Sequence, residues 1–334
     1  MGGGMTLARA EQVDPSVTPY YHCITRCVRR AYLCGHDSVT GQDFSHRKSW
    51  VVDKLRELSE AFFIDICAFA VMSNHMHLVL RINGDAAQGA SDSDVQERYR
   101  SLFASANAGE EVAETKRPDP ARVELFRERL SSLSWFMRCL NEAIARRANR
   151  EDGCRGRFWE GRFRSQALLD EAAVLTCMSY VDLNPVRAGI AEGLDDSDFT
   201  SIQQRLAAAA RVADMSDVPD VPEASADATT ATNLREETHK PKRIEGAQCV
   251  SAVPLTPMAD DEDDTAALPS TLDNYVALLR YTGQAVRDDK RGALPPQHVA
   301  GFLDTFGINT TKWVETVADY HRHFFTMEIG RAHV

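Results

Sequence analysis

No uninterrupted apolar run in these 334 residues approaches the roughly 18–20 residues needed to cross a bilayer, so a membrane-spanning helix is excluded. The N-terminus has no basic stretch followed by an apolar core, which argues against a secretory signal. A basic excess is missing too: 38 Lys+Arg face 49 Asp+Glu, a net charge of −11. The eight cysteines are spread from Cys23 to Cys249. That spread suits reduced thiols in a cytoplasm rather than a disulfide framework. Hydrophobic residues at 43% and charged residues at 26% are the proportions of an ordinary globular protein. Met1-Gly2-Gly3-Gly4-Met5-Thr6 formally matches a myristoylation pattern, and a misassigned start before Met5 explains it equally well.

The negative total conceals an asymmetry. Residues 1–210 carry a net of −3 and residues 211–334 a net of −8, while Arg138–Arg164 holds eight arginines against four acids. Polyanion binding needs a local positive face rather than a positive total, so a nucleic-acid partner stays open.

Periodicity organises the chain. Tyr20–Val28 alternates as a strand, and Arg47–Phe62 carries a helical face of Trp50, Val51, Leu55, Leu58 and Phe62. Ile64–Val71 is a short apolar strand, Ser73-Asn74 a turn, and Met76–Ile82 the second strand of a hairpin. Ser91 caps a helix over Asp92–Phe103. Val123–Arg150 predicts a long helix with a break near Ser131-Ser132, and Phe163–Leu169 a further strand. Asp170 caps a helix from Glu171 to about Leu183, ended by Asn184-Pro185. The expected division is a first domain over 1–210, an acidic solvated linker over 211–270 with the run Asp260–Asp264, and a small helical module over 271–327. Glu328–Val334 back-translates to a common sequencing adapter and is set aside.

Two motifs carry chemistry. In Asn74-His75-Met76-His77-Leu78 the histidines at i and i+2 share one strand face while Met76 points to the other, which is half of a divalent-metal site. The pattern alone also fits two histidines at a strand end facing water. Val79 stands where a histidine-triad hydrolase needs a third histidine, and no His-Glu-x-x-His pair exists. In Tyr180-Val181-Asp182-Leu183-Asn184-Pro185-Val186-Arg187, Tyr180 and Asn184 lie four apart on one helical face. A tyrosine hydroxyl aimed at a metal-bound phosphate is a competent nucleophile; a plain core tyrosine above a helix stop is the other reading.

Together with Gly156-Arg157-Phe158-Trp159-Glu160-Gly161-Arg162-Phe163, these motifs make the chain resemble the single-tyrosine HUH transposases, specifically the REP-associated tyrosine transposases. The resemblance covers about Tyr20 to Phe199. It implies an α/β (α+β) ferredoxin-like core with an antiparallel sheet and packed helices, with Leu272–Phe325 as a C-terminal extension. It further implies that His75 and His77, with Asn184 as a third polar ligand, bind Mg²⁺ or Mn²⁺ and that Tyr180 is the nucleophile. The implied enzyme is cytoplasmic and bacterial, a monomer or homodimer, and it nicks and rejoins single-stranded DNA beside hairpin-forming palindromic repeats through a 5′-phosphotyrosine. Arg138, Arg146, Arg147 and Arg150 form a candidate phosphate track on one helix flank. Arg157, Trp159 and Arg162 are candidates for phosphate and stacking contacts to an unpaired strand, with Phe158 and Trp159 equally suited to be core anchors. Two competitors remain: a domesticated repeat-binding protein without transposition, and a zinc module built on His22, Cys23, Cys27, Cys34 and His36. Buried sheet thiols are the better reading of that last cluster.

Overall fold

The computed structural model describes residues 13–28, 33–37, 41–103, 119–216, 252–259, 268–285 and 296–320. Its elements run β1 (Tyr20–Arg26), α1 (Arg47–Ala61), β2 (Ile64–Val71), β3 (His75–Ile82), α2 (Gly84–Gly89), α3 (Asp92–Phe103), α4 (Pro120–Leu130), α5 (Leu133–Glu151), β4 (Arg164–Ala167), α6 (Glu171–Asp182), α7 (Asn184–Arg187), α8 (Ser201–Ser216), α9 (Leu272–Ala285), α10 (Gln297–Thr305) and α11 (Thr310–Ala318). The four strands form one sheet in the order β2-β3-β1-β4, every pair antiparallel. With α1 joining β1 to β2 and α5 leading into β4, this is the β-α-β-β-α-β, ferredoxin-like arrangement. The mixed α/β expectation is met.

Local chemistry places most element ends. The Asp170 side chain accepts from the Ala173 amide at the start of α6, and the Ser91 hydroxyl accepts from Asp94 at the start of α3; each satisfies an otherwise orphaned helix N–H. The long helix expected over 123–150 is two helices, because Ser131 ends α4 and the Ser132 side chain caps α5. Asn184-Pro185 does not simply stop α6. Leu183 stays in the right-handed helical region and the chain continues into the short turn of α7, since proline in a first helical turn lacks only an N–H that is unbonded there anyway. Helix α2, capped by Asn83, was not anticipated.

Helices cover both faces of the sheet, which is why β2 is apolar almost throughout. On one face, Val51, Leu55 and Leu58 of α1 and Phe136, Leu140 and Ile144 of α5 bury Tyr21, Leu78 and Leu80. On the other, α6 and the C-terminal helices bury Ala68, Ala70 and Val79. The register of β2 on β3 shifts between Ile66 and Ala68. This bulge at Cys67 inverts the alternation: Ile64 and Ile66 face the first core, as do Phe69 and Val71 beyond it, so the small Ala68 and Ala70 turn to the second.

The expectation of a solvated linker over 211–270 is corrected in its described parts. Helix α8 runs across the 210 boundary. Residues 252–259 lie along the free edge of β2, with Thr256 donating its amide to the Ile66 carbonyl at 2.9 Å and Arg205 holding the carbonyls of Cys67 and Thr256. Covering that edge removes an exposed row of backbone groups that would otherwise template aggregation. Val253, Met258 and Leu268 are buried, and apolar burial is worth more there than the local polarity suggested. The run Asp260–Asp264 and the segment Glu328–Val334 lie outside the described residues. Helices α9, α10 and α11 are not a separate module either, because Tyr275, Leu279, Trp313 and Val317 share one core with Leu175 and Met178 of α6. Among the described residues no helix is long and apolar enough to cross a membrane.

Candidate active site

Strand alternation puts His75 and His77 on the sheet face turned to α6, while Met76 and Leu78 enter the opposite core. Antiparallel pairing sets Ile24 opposite His77 and His22 opposite Val79, so His22 is the diagonal neighbour of His77 on the same face. The two imidazoles meet, with His22 Nε2 and His77 Nδ1 3.0 Å apart. His75 lies edge-on to His77 at 4.9 Å between ring centroids, and its Nδ1 is 2.6 Å from Asn74 Oδ1. Helix α6 crosses above this row. Its Asp170 cap and its apolar face (Val174, Leu175, Met178, Val181) hold it down on the second core, and its last turn lays Tyr180 edge-to-face on His77 at 5.5 Å and 86°.

The side chain of Asn184 lies beside the Tyr180 hydroxyl and lowers its pKa, so the spacing of four found in the sequence brings the two together. Three residues complete the site that sequence reasoning gave no role in it. In the sequence His22 stands with the Cys23–His36 cluster, Arg187 ends the Tyr180–Arg187 motif, and nothing local marks Tyr320. The Arg187 guanidinium carbon lies 5.1 Å from the Tyr180 ring centre. Tyr320 stacks on Tyr180 at 4.6 Å and 24°, leaving Tyr180 9% exposed.

Burial governs the electrostatics. Desolvation lowers the pKa of His22 to about 3. It lowers His75 to about 4, helped by Arg26, and holds His77 well below its ordinary range, helped by His22, His75 and Arg187. All three imidazoles are therefore neutral, with lone pairs available. Tyr180 is raised by desolvation, opposed by Arg187 and the Asn184 side chain. An unfolded chain would protonate these histidines near 6.5 and the folded one does not. Stability present above that pH is thus lost as pH falls toward the folded values, each group adding a slope that approaches about 1.4 kcal/mol per pH unit. Unfolding midpoints measured at pH 7.5, 6.0 and 5.0 should fall, and less steeply in His22→Gln; an unchanged slope in that variant would contradict a buried neutral His22.

The donor set suits a divalent cation. His77 Nε2 is buried and has no hydrogen-bond partner, while His75 has spent only Nδ1 on Asn74. Asn184 could donate its amide to Tyr180 and keep its carbonyl oxygen free. Among the described residues no group of three or more His, Cys, Asp or Glu side chains is arranged to hold a metal, so protein ligation would rest on two imidazoles and an amide.

The candidate DNA contacts divide. Arg146 pairs with Glu142, as Arg138 does at 3.6 Å, and Arg147 lies over the Trp50 ring at 4.1 Å. Arg146, Arg150, Arg157 and Arg162 are exposed. Trp159 does not stack on unpaired bases in this fold. It is 8% exposed, packs edge-on to Phe158 and donates its indole N–H to the Asn141 carbonyl at 2.8 Å, because an amphipathic ring at a sheet end gains more from the core than from solvent. Backbone bonds from Glu160 to Arg26 and from Val28 to Phe158 anchor this segment at the end of β1, where Arg26 pairs with His75. The cysteine cluster is split by the sheet: Cys23 and Cys27 enter the first core, His22 faces the second, and His36 is exposed. Desolvation pushes the thiols of Cys27 and Cys34 up to about 12 and about 11.

No family model matches the chain, and no curated protein does. Among solved structures it is similar to a REP-associated tyrosine transposase bound to a REP hairpin, at 13% identity and a TM-score of 0.34, over 65% of this chain and 93% of that one.

Proposed function

We propose that this protein is a transposase of the REP-associated tyrosine type, which nicks and rejoins single-stranded DNA beside hairpin-forming palindromic repeats. The observation that carries the reading is the meeting of His77 and Tyr180, which come from distant parts of the chain yet lie edge to face at 5.5 Å. A buried, neutral histidine row beside a tyrosine and an arginine is the equipment for phosphodiester chemistry. His75 and His77, with the Asn184 carbonyl oxygen, would hold Mg²⁺ or Mn²⁺, which when bound polarises the phosphoryl group and offsets developing charge.

The chain's own residues do the rest. His22 fixes His77 in place: with Nδ1 engaged by His22, the His77 tautomer that donates there leaves its Nε2 lone pair for ligation. Asn184 and Arg187 favour the phenolate of Tyr180. The Tyr180 oxygen then attacks phosphorus, the bond to the 3′ oxygen breaks, and a 5′-phosphotyrosine and a free 3′-hydroxyl result. The phenolic proton leaves to solvent and the departing oxygen takes one up. Because one phosphodiester replaces another, a 3′-hydroxyl can later reverse the step without ATP. Exposed Arg157 and Arg162, at the His75 end of the sheet, would hold phosphates of the incoming strand.

The test is a covalent-adduct assay on a denaturing gel, with a labelled pool of hairpin-bearing single-stranded DNA and Mg²⁺ or Mn²⁺. A labelled band at the mass of the protein is expected, removed by chelator and reduced at least ~100-fold in His77→Ala, since such a metal supplies several kcal/mol of transition-state stabilisation. An adduct indifferent to chelator would overturn the metal assignment. A second reading, a repeat-binding protein that no longer moves DNA, draws support from the Tyr320 ring that covers Tyr180. It requires specific, salt-sensitive retention of hairpin DNA with no adduct.

A further inference from the structure

The sheet face that carries the histidines is covered unevenly. Helix α6 packs over β2 and β3, and the β1 and β4 side of that face is open at the His75 end. Strand register fixes which side chains stand there. Arg26 lies opposite His75 and Ile24 opposite His77, and on its other side Ile24 pairs with Arg164 of β4. Directly paired residues project to the same face. Arg26 therefore stands beside His75, while His77, Ile24 and Arg164 make one row across three strands. Arg26 and Arg164 are both exposed, and Ile24 is half-buried between them. The two arginines are diagonal neighbours, a relation that sets residues roughly 7–8 Å apart. Unlike Arg157 and Arg162, which precede β4, both belong to strands of the sheet that holds the histidines. No carboxylate answers them. Arg56 is paired with Glu60, Arg81 with Asp65 and Arg98 with Asp94, but among the described residues neither Arg26 nor Arg164 is in an ion pair. The positions of β1, β3 and β4 that share this face carry no acidic side chain. Like charges close together on a sheet repel, and an anion set between two guanidinium forks relieves that repulsion.

We infer that Arg26 and Arg164 together form a subsite for one backbone phosphate of single-stranded DNA, next to the phosphate that reacts at His75 and His77. The place of the reacting phosphate rests on the proposed function; the cationic subsite rests on register and charge alone. Because β4 is the last strand of the sheet, a DNA strand can cross from its edge over Ile24 to the histidines. Two phosphates are then held by one rigid sheet, which fixes the path of the strand through the site. A phosphate beside the reacting one keeps its charge throughout the reaction. Its contacts are equally strong before and in the transition state, so the subsite strengthens binding and leaves the chemical step unchanged.

Binding of a short labelled oligothymidylate to the full chain, with chelator present so that neither metal nor cleavage contributes, reads the subsite directly. The double variant Arg26→Gln/Arg164→Gln should bind ~10-fold more weakly at low salt, as expected when charge-assisted contacts to a phosphate are lost. The slope of log affinity against log salt concentration should flatten by about 0.7, the share of one phosphate on a single strand. Arg26→Lys/Arg164→Lys keeps the charge and should keep the slope. Both side chains are exposed, so the unfolding midpoint should stay that of the parent. Arg100→Gln changes an exposed arginine of α3, a helix whose Val95 packs into the core on the opposite face, and should bind as the parent does. Equal losses in Arg100→Gln and in the double variant would reduce the effect to overall charge and end the subsite, as would a parent protein that does not bind the oligothymidylate at low salt. In the covalent-adduct assay the double variant should need ~10-fold more DNA for half-maximal rate while its maximal rate stays within about twofold. A lower maximal rate with unchanged binding would place the arginines on the reacting phosphate and overturn the assignment to its neighbour. Should the parent form no adduct, the proposed function fails, and the oligothymidylate measurement still decides the subsite by itself.

Discussion

Tyr180→Phe should abolish the covalent DNA adduct, a loss of more than ~1000-fold, as expected when a nucleophile is deleted and the rest of the site is left intact. The phenylalanine ring keeps the packing on His77 and Tyr320. Only the hydroxyl beside Asn184 is lost, at a cost of no more than about 1 kcal/mol. The unfolding midpoint and the retention of hairpin DNA should therefore stay close to those of the parent, and the chemistry alone should disappear. The contrast with His77→Ala is informative, because that change empties a buried position and should affect both. If an adduct persists in Tyr180→Phe, the nucleophile lies elsewhere. Tyr320, stacked against Tyr180, would be the first to examine, and loss of the adduct in Tyr320→Phe would transfer the role to it.

Asp182→Ala should be the most destabilising single change at the base of the site. Asp182 is fully buried and accepts from the Ser201 hydroxyl at 2.5 Å, the Ile202 amide at 3.0 Å and the Tyr275 hydroxyl at 2.7 Å. Removing it strands three buried donors and leaves Arg205, whose charge it offsets, without its nearest counter-charge. A loss of about 3–5 kcal/mol is expected from unmade buried bonds of this kind, read as a fall of roughly 10 °C in the unfolding midpoint. Because the same carboxylate ties α6 to α8 and α9, amide exchange should accelerate in those helices before it does in α1 or α5. Asp182→Asn keeps an acceptor oxygen and should lose less. A midpoint within 2 °C of the parent in Asp182→Ala would mean that the network is incidental to stability.

Periodicity and capping chemistry made much of this protein legible before any coordinates. The alternation of Asn74–Leu78 put His75 and His77 on one face and Met76 on the other. The spacing of Tyr180 and Asn184 put them on one side of a helix, and Asp170, Ser91 and the Ser131-Ser132 pair marked where helices begin and end. These are local properties, written in residues a few positions apart, because a strand repeats every two residues and a helix every 3.6. What each face would meet was not local. That His22 lies diagonal to His77 depends on the antiparallel register of β1 on β3. That Ala68 and Ala70 share the second face depends on a bulge with no distinct signature at Cys67. Trp159 could have served DNA or the core until its indole found the Asn141 carbonyl. Residues 252–259 looked solvated until the open edge of β2 gave them backbone partners. The sequence by itself determined which side chains project together. The tertiary structure decided that a tyrosine helix lies across the histidine face and that the terminal helix lies on the tyrosine, because long-range burial chooses among the partners that local periodicity leaves equally possible.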